Sequence, residues 1–298
     1  MPATLRRRYL PRVTADQLKY LVVGFEYLLQ GAGLILLIRL FVDPIQRARL
    51  KQPRLPAWDI PVSEFFVFLA LLFAGMFAAN VIVGFLVKAI GVAGDLGLIL
   101  RSASTQLGML VGYFFFSERQ KTLAREREVP PMAAPQAHQP GILTSGVATF
   151  LMLLPIVTAV VAVWQAILKS TDLPIEKQDI VGMFKKADSP WTVAIMVAMA
   201  VVIAPVVEEL VFRAGFYRFL RTRILHALAL FAPSLFFAAL HVNWQTLAGL
   251  YSLAPLVVLA VFFSLAYQYT GRIGTVIVAH ALFNLNTVLV LFSGASND

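Results

Sequence analysis

Three polar constellations interrupt the apolar last third of the chain. The first is Glu208, Glu209 and Arg213. The second is Phe237 with His241, and the third is His280 with Asn284. Ionisable groups in apolar helices are costly and tend to mark function. Helix geometry separates their roles. Glu209 and Arg213 stand four residues apart, on one face, with the acid on the favourable N-terminal side. That pair can neutralise itself. Glu208 diverges by roughly 100° around the axis, is left unpaired in its own helix, and can take a proton from water. Pro205, one turn earlier, predicts a kink. His280 and Asn284 share a face, whereas Asn286 points away. Taken singly, each group has a plainer reading: an interfacial helix end, a histidine beside Trp244, an interhelical hydrogen bond. Their conjunction is stronger, because the chain has only four histidines. Of the other two, His138 lies in a proline-rich linker and His226 begins a helix beside Arg221 and Arg223; neither is assigned a role.

A carboxylate, two imidazoles and an amide suit hydrolysis. One Glu deprotonates a water, a His helps to hold it, and a second His with an amide stabilises the oxyanion. The chain has no cysteine, so a thiol nucleophile, thiolate zinc sites and disulfides are excluded. Glu and His are also zinc ligands, but no His-Glu-x-x-His sequence is present.

The elements that must position these groups are membrane helices. Of 298 residues, 59% are hydrophobic and 14% charged. Soluble chains carry about 25% charged residues, so a soluble enzyme, a disordered chain and a fibre are ruled out. The formal charge of +9 fits basic loops of a membrane protein and does not indicate a nucleic-acid partner. Long charge-free runs predict an all-α, polytopic membrane helix bundle of about eight apolar helices: 21–42, 63–87, 96–116, 141–168, 190–212, 224–241, 246–268 and 273–293. A β-barrel would show short alternating strands instead. Arg6, Arg7, Arg8 and Arg12 form a basic tail, read as retained because no cleavage pattern follows. Residues 43–61 are a basic, proline-rich connection. Residues 117–140 begin as a charged helix-like run and end as a proline-rich linker. Two regions follow: an accessory N-terminal membrane region, 1–140, and a C-terminal bundle, 141–298. Loop Lys and Arg place 43–61, 117–140 and 213–223 in the cytoplasm. The basic tail disagrees with that placement unless 21–42, with Glu26, Gln30 and Arg39, is re-entrant or lies on the surface. Gly108 and Gly112 give a small-xxx-small spacing on the third helix.

Glu-Glu-x-x-x-Arg, then Phe-x-x-x-His, then His-x-x-x-Asn, in that order on successive apolar helices, resembles the CAAX-protease and bacteriocin-processing family of intramembrane glutamic endopeptidases. The resemblance covers about residues 190–292, and all seven motif positions match. It implies a membrane-embedded hydrolase. Glu208 would be the general base with His241, His280 and Asn284 would form the oxyanion site, and Glu209, Arg213 and Phe237 would be structural support. No cofactor is expected. The family has also been described as metal-dependent, which makes zinc on Glu208, His241 and His280 the alternative. The implied partners are the bilayer and a protein or peptide substrate, either lipidated CAAX-type or bacteriocin- and immunity-type. The N-terminal helices are left to select substrate or bind a membrane partner. The implied location is a multi-pass integral membrane protein, in the plasma or inner membrane if bacterial. Two other classes compete: a proton-coupled transporter, which would need matched broken helices in both halves, and a non-catalytic immunity or binding factor.

Overall fold

The computed structural model describes residues 14–92, 94–126, 141–171, 189–244 and 247–294. The basic tail, the proline-rich part of the linker with His138, most of the loop 169–188, and residues 245–246 lie outside the described residues. Those described form nine helices and no strand. In chain order they are α1 (Ala15–Val42), α2 (Pro44–Leu50), α3 (Val62–Ile90), α4 (Asp95–Glu126), α5 (Ile142–Ser170), α6 (Pro190–Leu220), α7 (His226–Ala239), α8 (Leu253–Thr270) and α9 (Ile273–Phe292). A 3₁₀ turn, Leu247–Ser252, leads into α8.

All eight apolar runs are helices. Six are long and apolar enough to cross a membrane: α1, α3, α5, α6, α9, and α8 taken with the end of its 3₁₀ turn. α7 has 14 residues and is shorter than a span. α4 has the length, but Arg101, Ser102, Ser104, Thr105 and Gln106 keep it out of the six. One boundary differs from the sequence reading. The connection 43–61 contains a helix, α2, started by Pro44, whose fixed φ suits a first helical position. The charged helix-like run after residue 116 continues α4 to Glu126, since nothing before the linker prolines breaks it. α1 is unbroken, with no re-entrant interruption; its start is fixed by a capping box between Thr14 and Gln17.

Between membrane helices the lipid supplies no hydrophobic drive, so close backbone approach and interhelical hydrogen bonds hold the bundle. The glycine spacing of α4 shows this directly. A Cβ on Gly108 would overlap the Gly75 carbonyl of α3, and one on Gly112 would overlap the Leu71 carbonyl. α1 lies on α5 at Gly33, against the Leu151 carbonyl. Gln30 Nε2 donates to Thr158 Oγ1 of α5 across 2.8 Å. The outward faces stay apolar, as at Phe66, Phe73, Phe77 and Phe85 of α3, which is what lipid requires.

Aromatic rings pack one end of the bundle. Phe65 of α3 stacks on Phe219 of α6 with centroids 3.9 Å apart. Trp58 sets its edge against Phe68, Phe116 and Phe219. The strap 54–61 that carries Trp58 is pinned by its backbone. Arg54 and Leu55 N–H donate to the Gln268 carbonyl at the end of α8. Arg221 donates to the Leu55 carbonyl at 2.5 Å, and Arg223 to those of Trp58 and Ile60. Glu64, at the start of α3, accepts from Arg119 and Gln120 near the end of α4. The strap 54–61, Arg119 and Gln120, and Arg221 and Arg223 therefore meet at one end of the bundle.

Candidate active site

α6 carries the two carboxylates and is the least regular helix of the bundle. It is α-helical over Pro190–Ala198, widens to a π-helix over Met199–Ile203, returns to α over Ala204–Glu208, and widens again over Glu209–Tyr217. The Ala204 N–H bonds five residues back, to Met199, and the Arg218 N–H likewise to Arg213. Pro205 has no N–H to give and its ring crowds the carbonyl four residues earlier. A wider turn there relieves both problems. Gly215 lets the Phe68 ring of α3 press against the second wide segment, where a Cβ would clash. The expected kink is thus a local change of winding, a form found mostly at functional sites.

Glu209 and Arg213 form the i,i+4 pair, Nη1 to Oε1 at 3.0 Å, with side chains 0% and 1% exposed. Arg213 also donates to the Ala260 carbonyl of α8 at 3.3 Å. Its guanidinium lies over Phe237 at 4.8 Å and Phe263 at 5.5 Å. Phe237 is buried and thus serves as a wall for the arginine. The same oxygen of Glu209 contacts His280 Nδ1 at 2.8 Å, while Glu209 Oε2 is buried without a hydrogen-bond partner.

Glu208 faces both imidazoles. His241 Nε2 lies 3.6 Å from its Oε1 and His280 Nε2 lies 3.7 Å from its Oε2. Hydrogen bonding fixes the tautomers. His241 Nδ1 sits 2.7 Å from the Phe237 carbonyl, an acceptor only, so Nδ1 carries the hydrogen. His280 Nδ1 faces the Glu209 oxygen that also accepts from Arg213, and donates to it. In the neutral form of His241, Nε2 is then a lone pair turned toward Glu208. Gaps of 3.6 and 3.7 Å are too long for direct bonds, and one water can touch both members of either pair. The Glu208 and His280 side chains are 19% and 5% exposed, and that of His241 is 35% exposed, so the pocket opens at His241.

Four elements make this arrangement. α6 brings the acids, the end of α7 brings His241, α9 brings His280, and α8 backs them with Phe263. The His241 turn is held by Trp244 Nε1 donating to the Ala239 carbonyl at 2.7 Å. Gly249, where a Cβ would overlap the Asn243 carbonyl, seats that turn on the 3₁₀ segment. Asn284 lies one turn from His280 and gives one amide hydrogen to the Ala200 carbonyl, in the first wide segment of α6, at 2.7 Å. His226, at the first position of α7, lies at the other end of that helix from His241.

Adjacent acids on one helix diverge, yet His280 touches Glu209 through one nitrogen and faces Glu208 through the other. Phe263 and the Ala260 carbonyl carry no signal in the sequence, being ordinary members of an apolar run. Among the described residues, no three His, Asp or Glu are placed so that they could hold a metal ion. The two imidazoles address opposite oxygens of Glu208.

Residues 190–286 match the Rce1-like family of type II CAAX prenyl endopeptidases. This segment is a CAAX endopeptidase domain. It is about a third of the chain, runs from the start of α6 well into α9, and contains all seven residues described above. No curated protein and no solved structure matches the chain. The CAAX endopeptidase domain makes the protein a multi-pass membrane hydrolase, and implies an intramembrane protease with a protein substrate.

Proposed function

We propose that the CAAX endopeptidase domain hydrolyses a peptide bond with a water activated by Glu208 and His241. The observation that carries this reading is the Glu208 carboxylate faced by two imidazole Nε2 atoms at water-bridging spacing. Water bound between Glu208 and His241 gives a proton to this pair as its oxygen adds to the carbonyl carbon. The same proton then serves the leaving amine. With a hydrogen on Nε2 as well as on the Nδ1 that Glu209 holds, His280 is a donor on both sides, and in that form it and the remaining amide hydrogen of Asn284 donate to the developing oxyanion. Glu209 and Arg213 keep His280 in place and neutralise each other. No metal or cofactor takes part. The substrate is a membrane-associated or lipidated protein or peptide, of the prenylated CAAX type that the family's description names or of the bacteriocin or immunity type. The end of the bundle that carries the strap 54–61, Arg119, Arg221 and Arg223 faces the cytoplasm, following its basic residues. The helices before residue 141 form an accessory region.

Protein termini should be compared by mass spectrometry in cells making wild type or Glu208→Gln at equal level. The substitution keeps shape and hydrogen bonding while removing the base. A terminus present only with wild type is expected, and it names the substrate. Identical termini would favour a binding or transport role instead.

A further inference from the structure

The Ala200 carbonyl, in the first wide segment of α6, has lost both of the N–H groups that could serve it within the helix. In regular α winding it would accept from the N–H four residues on, that of Ala204. The Ala204 N–H bonds to Met199 instead. In the wider winding it would accept from the N–H five residues on. That residue is Pro205, which has none. A backbone carbonyl in such a place needs another donor. Asn284 of α9 supplies it, Nδ2 to oxygen at 2.7 Å. Pro205 is itself fully buried, one turn before Glu208.

This bond does more than tie two helices together. An amide side chain presents an acceptor, Oδ1, at one corner and two donor hydrogens, on Nδ2, at the other. Only the nitrogen corner fits against a carbonyl. Turned over, Oδ1 would meet the Ala200 oxygen lone pair to lone pair. The bond therefore decides which corner of Asn284 stands there. Because the amide is planar, it also fixes the direction of the second hydrogen, the one given to the oxyanion. With an ordinary residue at position 205 the helix can return to α winding. The Ala204 N–H then takes the Ala200 carbonyl, and the amide loses its fixed partner. We propose that Pro205 is a positioning residue for the reaction: by withholding an N–H it reserves the Ala200 carbonyl for Asn284, and so aims an oxyanion donor that stands on another helix. This rests on the endopeptidase reading above, in which Asn284 is that donor. Neither a proton nor a bond change passes through Pro205, and its effect on rate runs through Asn284.

The link can be read without a substrate. Full-length protein carrying isotope-labelled asparagine is placed in nanodiscs of neutral phosphatidylcholine. The side-chain amide signal of Asn284 is assigned by nuclear magnetic resonance from its loss in Asn284→Ala. Pro205→Ala and Pro205→Ser both restore the N–H. Each should move that signal from the position of a hydrogen-bonded amide toward that of free asparagine, with helical content by circular dichroism unchanged. On the substrate named by the termini experiment, both should lower kcat by at least about tenfold and leave KM unchanged, within the roughly 10²–10³-fold cost of removing an oxyanion donor outright. Placed in Asn284→Ala protein, Pro205→Ala should slow cleavage no further, which a proline serving the fold alone would not give. Three results would overturn the assignment: an Asn284 signal that stays in place, a Pro205→Ala penalty as large without Asn284 as with it, or loss of helical content in both variants. Wild-type cleavage by Pro205→Ala beside an inactive Glu208→Gln would sink the Pro205 assignment alone. Wild-type cleavage by Glu208→Gln would instead sink the endopeptidase reading, and the role of Pro205 with it.

Discussion

Replacing Arg213 by Met removes a charge from the interior and keeps most of the side-chain volume. The partner, Glu209, is 0% exposed and 3.0 Å away. At an effective dielectric of ~20, two unit charges at that distance attract by about 5.5 kcal/mol before desolvation is counted. What the substitution costs is set by the carboxylate left behind, since breaking a buried pair from one side costs about 3–5 kcal/mol. Loss of the bond to the Ala260 carbonyl and of the contacts over Phe237 and Phe263 acts in the same direction. The control is Arg119→Met, which breaks the pair with Glu64. That arginine is 46% exposed, and exposed pairs contribute about 0–1 kcal/mol. Unfolding of the purified protein in mixed micelles, titrated with sodium dodecyl sulfate and followed by circular dichroism, reads both. Arg213→Met should be lower in stability by about 3–5 kcal/mol. Adding Glu209→Gln should recover more than half of the loss, since no unpaired charge is then buried. An Arg213→Met protein as stable as Arg119→Met, or a double variant no better than the single, would refute the idea that a buried ion pair holds this site together.

Three further outcomes are expected. His241→Ala should slow peptide cleavage by roughly 10²–10⁴-fold, the usual contribution of a positioned acid–base group, read as an initial rate on reconstituted protein. Gly112→Leu should force α4 away from the Leu71 carbonyl of α3, costing about 1–3 kcal/mol or more in the same unfolding titration. Dialysis against a chelator should leave the cleavage rate unchanged, and a loss of activity restored by zinc would contradict the metal-free reading.

Much of this architecture can be read from the chain because lipid imposes a simple rule. Charge-free runs of spanning length must be helices, and all eight apolar runs are. Gly108 and Gly112 announced a close contact, and α3 is the helix that makes it. The i,i+4 spacing of Glu209 and Arg213 announced a pair, which forms even though the helix there is π-wound. Other features depend on tertiary contact and leave no periodic trace. The wide turns of α6 follow from Pro205 and from Phe68 pressing on Gly215. The seven-residue α2 is too short to stand out within a basic, proline-rich stretch. The bond between His280 and Glu209 joins residues far apart in the chain, and two adjacent acids give no sign that one histidine addresses both. Phe263 looks ordinary as a letter, apolar among apolar residues.

The central claim is that the Glu208 carboxylate activates the attacking water. Its most direct test is a timed cleavage assay with purified protein in proteoliposomes, using the substrate named by the terminus comparison. Wild type should generate the new terminus, and Glu208→Gln, equally folded by circular dichroism, should be slower by about 10²–10⁴-fold. Cleavage by Glu208→Gln at the wild-type rate would contradict the account.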